Sequence, residues 1–516
     1  MGAARELVTQ AGGFAEANVK FEDIKKALLS QELLQSSHGE LERFLGSEGR
    51  ELLRLLLQGH LDARGAARAV EPVVGDDGVE RTQVRPNTSR DLRTTVGTVK
   101  VTRARYEARG VDGRHPADAG LELPPGRYSH ELTRLLAQQA AQVSFEKAID
   151  FVAQTTGVTV PKRQAEELVR RAAQDFEAFY AGRAHGAPPS EKAFLVMSVD
   201  QKGVVLRHED LLPATQKKAA SGRKLETRFT RGEPRARKRM ATVAAVYYIE
   251  PDVRDAESII AGLRHIKPFQ TSPRPRPQNK RVWASLERPL AAVIAEMFDE
   301  AQRMDPERKR PWLVLVDGDK KLETAIRRTA RAKGAEVNLV LDAIHALQYL
   351  WAAGHKLCDE GSPELEKWVL ERFQRLLEGR ASDVAAGMRR SATKRGLSDE
   401  QRGPIDTAAN YFLKRKHLML YDLCLEAGTP IATGVIEGTC RTLINDRLDI
   451  TGARWSLRGA EAIIELRALM QSGDFDDYWA FHTEREYHRN HASSYADEKP
   501  PAVALRGSKP HLRLVK

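Results

Sequence analysis

Residues 311–342 read PWLVLVDGDKKLETAIRRTARAKGAEVNLVLD. An apolar run stops at Asp317, the amphipathic stretch KKLETAIRRTARAKG follows, and a second apolar run stops at Asp342. The periodicity predicts strand, helix, strand, which is the repeating unit of an α/β fold. Upstream, AFLVMSVDQKGVVL carries Asp200, and TVAAVYYIE and RVWASL follow as two further strands before the helix SLERPLAAVIAEMFDEAQR. The predicted order is therefore three strands, helix, strand, helix, strand.

Beyond this segment the character changes in both directions. Leucines at three- and four-residue spacings in FEDIKKALLSQELL and GELERFLGSEGRELLRLLLQGHLDA predict amphipathic helices, so residues 1–81 form an N-terminal helical region. TTVGTVKVTRARYEA alternates β-branched and polar residues as a half-buried hairpin does, which makes 82–128 a small β region. Residues 129–190 read as helix, Thr-Gly turn, strand-like VTV and a basic helix with Lys162, Arg163, Arg170 and Arg171. That arrangement is helix-turn-helix-like and could enter a major groove, although helical hairpins of such composition are common. The linker GRAHGAPPSEK separates it from the α/β segment. After Ala343 the chain is helical through residue 430, and PIATGVIEGTCRTLINDRL then carries Glu437 at a helix start. Residues 481–516 read as a basic C-terminal tail.

The chain has 516 residues, of which 41% are hydrophobic, so it is long enough for several domains with buried cores. Its longest apolar runs, such as WLVLV and AAVYYI, are far shorter than the ~20 residues that cross a bilayer, and no transmembrane helix is expected. Three widely spaced cysteines, Cys358, Cys424 and Cys440, argue against a disulfide framework and for a reducing cytoplasm. With 82 Lys and Arg against 71 Asp and Glu, the formal charge of +11 makes polyanions the first class of partner. The positive charge is concentrated. Lys217, Lys218, Arg223, Lys224, Arg228, Arg231, Arg235, Arg237, Lys238 and Arg239 stand against only Glu226 and Glu233, and a proline-rich segment adds Arg274, Arg276, Lys280 and Arg281. Both segments suit phosphate contact, and both could equally be solvated charge runs.

Asp200 and Asp317, taken singly, could be turn residues. On a ribonuclease-H-like sheet, however, the first and fourth strands are neighbours, and an acid on a late helix, here Glu437, can close a cluster. Three gathered carboxylates repel one another unless cations lie between them. Two divalent ions ~3.5 to 4 Å apart can activate a hydroxyl and stabilise a leaving oxygen in phosphoryl displacement, and an all-oxygen ligand set suits Mg²⁺. Asp319 is a rival to Asp317, but a residue at the strand end is better placed than one turning into a helix. Arg441 and Arg454 could pair with phosphate, and Trp455 could stack on an unpaired base; the alternative is that Trp455 anchors the last helix.

SVDQKGV, LVDGD, LDAIHALQYLW and GVIEGTCRTLINDRLDITGARWSLRGAEAIIELRAL together resemble the blocks of the bacterial insertion-sequence Kra-type transposases, relatives of the Mutator-like DDE transposases. The resemblance spans roughly residues 94–469 and is strongest in the last block. It implies a multidomain α/β protein with a ribonuclease-H-like mixed-sheet core in two parts, 191–345 and 431–480, interrupted by an all-helical insertion at 346–430. It implies Asp200, Asp317 and Glu437 as catalytic, metal-binding residues, at intervals of 117 and 120 residues. A D-x-x-H element maps onto Asp342 and His345, where His345 could orient a phosphate or act as acid or base; Asp342 could also be a plain helix cap. The cofactor implied is two Mg²⁺ ions, for which Mn²⁺ can substitute. The partners implied are double-stranded transposon ends and target DNA, held by a homodimer or larger assembly, with the protein cytoplasmic and associated with the nucleoid when bound. The cysteine-rich zinc element of some relatives has no counterpart in RARYEARGVDGRHPADAG. The rival expectations are a ribonuclease-H-like nuclease without strand transfer and a non-catalytic DNA-binding protein derived from a transposase.

Overall fold

The structure, a computed structural model, describes residues 13–184, 186, 188–221, 237–264, 274–450 and 452–505. Arg223, Lys224, Arg228, Arg231 and Arg235 of the first basic segment, Lys267 of the second, and the last eleven residues of the expected tail lie outside them. The chain divides into two compact units, residues 1–182 with 475–516, and 183–474. Among the described residues no helix is long and apolar enough to cross a membrane.

In the first unit, helices α1 (Ala15–Leu28) and α2 (His38–Arg64) supply the helical N-terminal part. The Glu40 carboxylate accepts the Ser37 backbone N–H at 2.8 Å, the reciprocal half of a capping box, and Gly65 at φ +65° ends α2. Leu61 of α2 packs with Leu92, Val99, Val101 and Leu123 onto a three-stranded antiparallel sheet of β1 (Gln83–Thr94), β2 (Gly97–Ala108) and β3 (Val111–Arg114). Helices α3 (His130–Gln142), α4 (Phe145–Thr156) and α5 (Lys162–Ala173) pack on one another, with Gly157 at φ +72° turning α4 toward α5. Of the basic residues on α5, Lys162 pairs with Glu146 and Arg171 with Glu486.

The expected C-terminal tail is largely structured. A helix, Phe475–Asn490, runs through the boundary placed at residue 481, and Val503–Ala504 pairs antiparallel with Arg68–Ala69. The helix is held by a buried acid: Asp175 accepts His482 Nδ1 at 2.8 Å, Arg485 at 3.0 Å and Arg489 at 2.7 Å. Net basic composition suggested a basic tail, but Arg485 and Arg489 are spent on the internal carboxylate of Asp175.

The second unit is built on one mixed sheet of β4 (Phe194–Val205), β5 (Lys238–Ile249), β6 (Gln278–Ser285), β7 (Trp312–Val316) and β8 (Asn338–Leu341), in the order β6-β5-β4-β7-β8. β4, β5 and β6 are antiparallel neighbours; β7 and β8 run parallel to β4. Val243 to Tyr248 and Trp312 to Val316 are nearly continuous buried runs because helices cover the sheet. Among these helices are α6 (Leu290–Met304) and α7 (Lys320–Ala332). β5 begins four residues before the predicted TVAAVYYIE, since Lys238 still pairs with Val205.

After β8 come α8 (Ala343–Gly354), α9 (Pro363–Leu377), α10 (Ala381–Lys394) and α11 (Asp399–Arg415), a short helix Tyr421–Ala427, then α12 (Gly434–Cys440) and α13 (Leu457–Ser472). The boundary expected at residue 346 thus falls inside α8, whose first turn grows directly from β8.

Arg281, expected on DNA, is instead buried at 8% exposure. It pairs with the fully buried Glu300 of α6, which also accepts Arg303 at 2.6 Å. Breaking a buried pair from one side costs ~3–5 kcal/mol. Glu300→Ala is therefore expected to lower unfolding free energy by about that amount in a urea titration with unchanged m value.

Candidate functional site

Strand register brings three acids level with one another. Leu195 pairs with Trp312 and Ser198 with Leu315, an offset of 117 residues, so Asp200 on β4 falls opposite Asp317, one residue past β7. Val316 pairs with Leu341, an offset of 25, so Asp317 falls opposite Asp342, one residue past β8. The Asp342 N–H donates to the Val316 carbonyl at 2.8 Å and extends that ladder. Neighbouring strands lie about 4.8 Å apart, so the outer two aspartates are on the order of 10 Å apart. Glu437 joins them from α12, which packs against β4 and β5. Asp200, Asp317, Asp342, His345 and Glu437 all line one cavity of about 360 Å³, with Lys202, Gln348, Thr433 and Asn445.

Each acid is held differently. Asp200 Oδ1 accepts the Gln201 N–H at 2.6 Å, while Oδ2 lies 3.0 Å from the Lys202 ammonium and accepts the Cys440 thiol at 3.3 Å. Asp317 Oδ1 accepts the Asp319 N–H at 2.8 Å. Asp319 itself caps α7 through the Lys321 and Leu322 N–H groups, so its carboxylate is committed to the helix and does not line the cavity. Asp342, 1% exposed, caps α8 through the Ile344 N–H at 2.8 Å and receives the Thr433 hydroxyl on its other oxygen. Both readings of Asp342 therefore meet in one residue: it is a helix cap, and it stands in the cavity wall.

Glu437 is exposed toward the cavity. Burial of its carboxyl and the charges of Asp342 and Asp200 hold it above the ordinary glutamate range, against the opposing pull of Lys202 and His345. The chain then makes a π-helical turn, Arg441–Asn445. Eight residues along a regular α-helix are about 80° apart around its axis. The wider i→i+5 turn narrows that angle and lets Asn445 share the cavity with Glu437.

The helical insertion braces the Asp317 turn. Tyr411 of α11 donates its hydroxyl to the Asp317 carbonyl at 2.8 Å, and Arg415 Nε donates to the Gly318 carbonyl at 2.9 Å. Arg415 also lies over the Tyr411 ring at 4.3 Å, and Tyr349 of α8 stacks on that ring with centroids 3.9 Å apart. Gly318 sits at φ +86°, and a Cβ there would approach the Tyr411 oxygen to 2.5 Å. The His345 ring packs near Tyr349 and Tyr411 at 5.7 and 6.3 Å.

Four carboxylates facing one lysine and one histidine leave the cavity short of positive charge. An all-oxygen donor set such as Asp200, Asp317 and Glu437 is of the kind that suits Mg²⁺ or Mn²⁺, and Glu437 is raised first by burial and then by the charges of Asp342 and Asp200. Among the described residues no three His, Cys, Asp or Glu side chains already converge as a ready-made ligand cluster.

The residues expected on DNA separate into two groups. Lys217, Lys218, Arg274, Arg276, Arg441 and Arg454 are exposed, and Arg237 and Lys280 are half-buried. Lys238 is exposed with Asp449 at 3.3 Å, and Arg441 has Asp446 at 3.6 Å. By contrast Arg239 donates to the Leu286 and Asp210 carbonyls, and Trp455 is 8% exposed. The Trp455 indole donates to the Leu448 carbonyl at 3.1 Å, and its backbone pairs beside Leu206 at the end of β4. Trp455 is thus an anchor, not a stacking platform. Residues missed in the sequence are Lys202, Thr433, Tyr411 and Arg415. Only Lys202 carried a local signal, being two residues from Asp200 and so on the same strand face.

Removing the Tyr411 hydroxyl leaves the Asp317 carbonyl without that donor, and Tyr411→Phe is expected to cost about 1 kcal/mol in thermal unfolding. Ionising Glu437 is harder in the folded chain than in the unfolded one; that cost is complete near pH 8 and disappears below the ordinary glutamate range. Glu437→Gln, measured in chelator, is therefore expected to raise the melting temperature at about pH 8 and to leave it unchanged at about pH 4. Compared with known proteins, the chain matches no family model and no curated protein.

Proposed function

We propose that the chain is a DDE-type transposase of an insertion sequence, acting on DNA through a ribonuclease-H-like core. The observation that carries this reading is the register that levels Asp200, Asp317 and Asp342 at the carboxyl ends of parallel strands, with Glu437 meeting them from a helix. The strand order, three antiparallel strands followed by two parallel ones, agrees with such a core. The motif resemblance of the four sequence blocks supplies the family.

In this reading Asp200, Asp317 and Glu437 hold two Mg²⁺ or Mn²⁺ ions, which when bound supply Lewis-acid activation of a hydroxyl and stabilisation of the leaving oxygen. Asp342 keeps α8 in place through its cap and so fixes His345 at the cavity wall, where its imidazole can orient a phosphate oxygen or exchange a proton with it. Tyr411 and Arg415 hold the Asp317 turn against recoil from the other acids. The exposed cations Lys217, Lys218, Arg274, Arg276, Arg441 and Arg454 contact DNA phosphates, giving affinity that falls steeply with salt. The first unit reads the terminal repeats, with α5 as the candidate groove helix, and two or more copies hold the two ends together. The reaction uses water to hydrolyse a phosphodiester at the element's end, and the freed 3′ hydroxyl then attacks a target phosphodiester, forming the new P–O bond as the target's own 3′ hydroxyl leaves.

The test is cleavage and joining of labelled DNA that carries the sequences flanking this gene, with Mg²⁺, by the intact protein and by Asp317→Asn. Nicked ends and joined products are expected, with both lowered at least about a thousandfold in the variant. DNA affinity is expected to stay within about twofold, because a metal ligand is not a DNA anchor. Cleavage without joining would favour a nuclease, and binding without cleavage by the intact protein would favour a non-catalytic role.

A further inference from the structure

Among the described residues, Lys202 is the only lysine or arginine in the cavity wall. It stands two residues beyond Asp200 on β4, on the same face, and its ammonium lies 3.0 Å from Asp200 Oδ2. Its side chain is 39% exposed, and its antiparallel partner across the sheet is the small residue Ala241. A half-exposed ion pair of this kind contributes little to stability, so the fold does not explain why a lysine faces this site.

We propose that Lys202 is the resident counter-cation of the acidic cavity. Without a divalent ion its ammonium occupies Asp200; a divalent ion must displace it, and the displaced ammonium then binds a phosphate oxygen of the substrate. The inference rests on the metal-dependent reading above. Its logic is charge balance. Four carboxylates in one cavity hold a monovalent cation when nothing better is present, and a divalent ion at Asp200 repels that same ammonium. The anion then nearest to it is the substrate phosphodiester, for which a compact, mobile ammonium is suited. Lys202 would thereby link metal loading to substrate engagement with no rearrangement of the backbone.

Mn²⁺ binding to the full chain, followed by loss of the free-ion electron paramagnetic resonance signal, separates the possibilities. Lys202→Met is expected to bind Mn²⁺ about three- to tenfold more tightly than the intact protein, because the competing charge is gone. Lys202→Arg keeps the charge and is expected to bind like the intact protein. At saturating Mn²⁺ Lys202→Met is expected to cleave end DNA at least about tenfold more slowly. Equal or weaker Mn²⁺ binding by Lys202→Met overturns the counter-cation role, and undiminished cleavage at saturating Mn²⁺ overturns the phosphate role. Absence of Mn²⁺ binding in all three proteins overturns the metal-dependent reading itself, a result distinct from binding that is equal in all three.

Discussion

The second unit depends on a strand register that sets three aspartates at one level. Parallel pairing of β4 with β7 and of β7 with β8 fixes Asp200, Asp317 and Asp342 at one level, at offsets of 117 and 25 residues. A shift of one residue in either pairing would turn the alternating side chains to the wrong face and unseat the apolar runs that bury Val196, Val314 and Val340. The packing energy of the sheet therefore holds like charges together. Glu437 meets them from α12, its carboxyl kept above the ordinary range first by burial and then by Asp342 and Asp200.

Much of what surrounds the acids serves to restrain them. Thr433 and the α8 N-terminus hold Asp342, Cys440 and Lys202 hold Asp200, and α11 reaches across from the helical insertion to fix the Asp317–Gly318 turn. That last contact gives the insertion a role in the site beyond filling sequence between β8 and α12. The π-helical turn after α12 is a second adjustment of this kind, since it keeps Asn445 on the cavity side of the helix that presents Glu437. Such turns cost helical regularity and are found where a side chain must be re-aimed.

The strands were readable because apolar runs bounded by Asp and Gly leave few alternatives, and the acids were readable because they end those runs. PWLVLVDGD read as a strand ending at Asp317, one residue beyond where β7 stops, and the insertion read as predominantly helical, as it is. What the sequence hid was set by partners far along the chain. Arg281 looked like one more cation in a basic loop until Glu300 of α6 claimed it, and Trp455 could be read as base platform or anchor until its indole met Leu448 and its backbone met Leu206. The helix Phe475–Asn490 was hidden in the same way, because its cations answer Asp175, some three hundred residues earlier. Tyr411 and Arg415 gave no signal at all, since nothing in a helix of average composition says which turn it will touch.

In the proposed reading Asp200, Asp317 and Glu437 together form one divalent-cation site. Crystals soaked in Mn²⁺ and measured at the manganese absorption edge test it most directly. The account predicts anomalous peaks within coordination distance of Asp200, Asp317 and Glu437, with the Lys202 ammonium moved off Asp200. Peaks confined to surface carboxylates elsewhere, with the Lys202–Asp200 contact intact at saturating Mn²⁺, would contradict it.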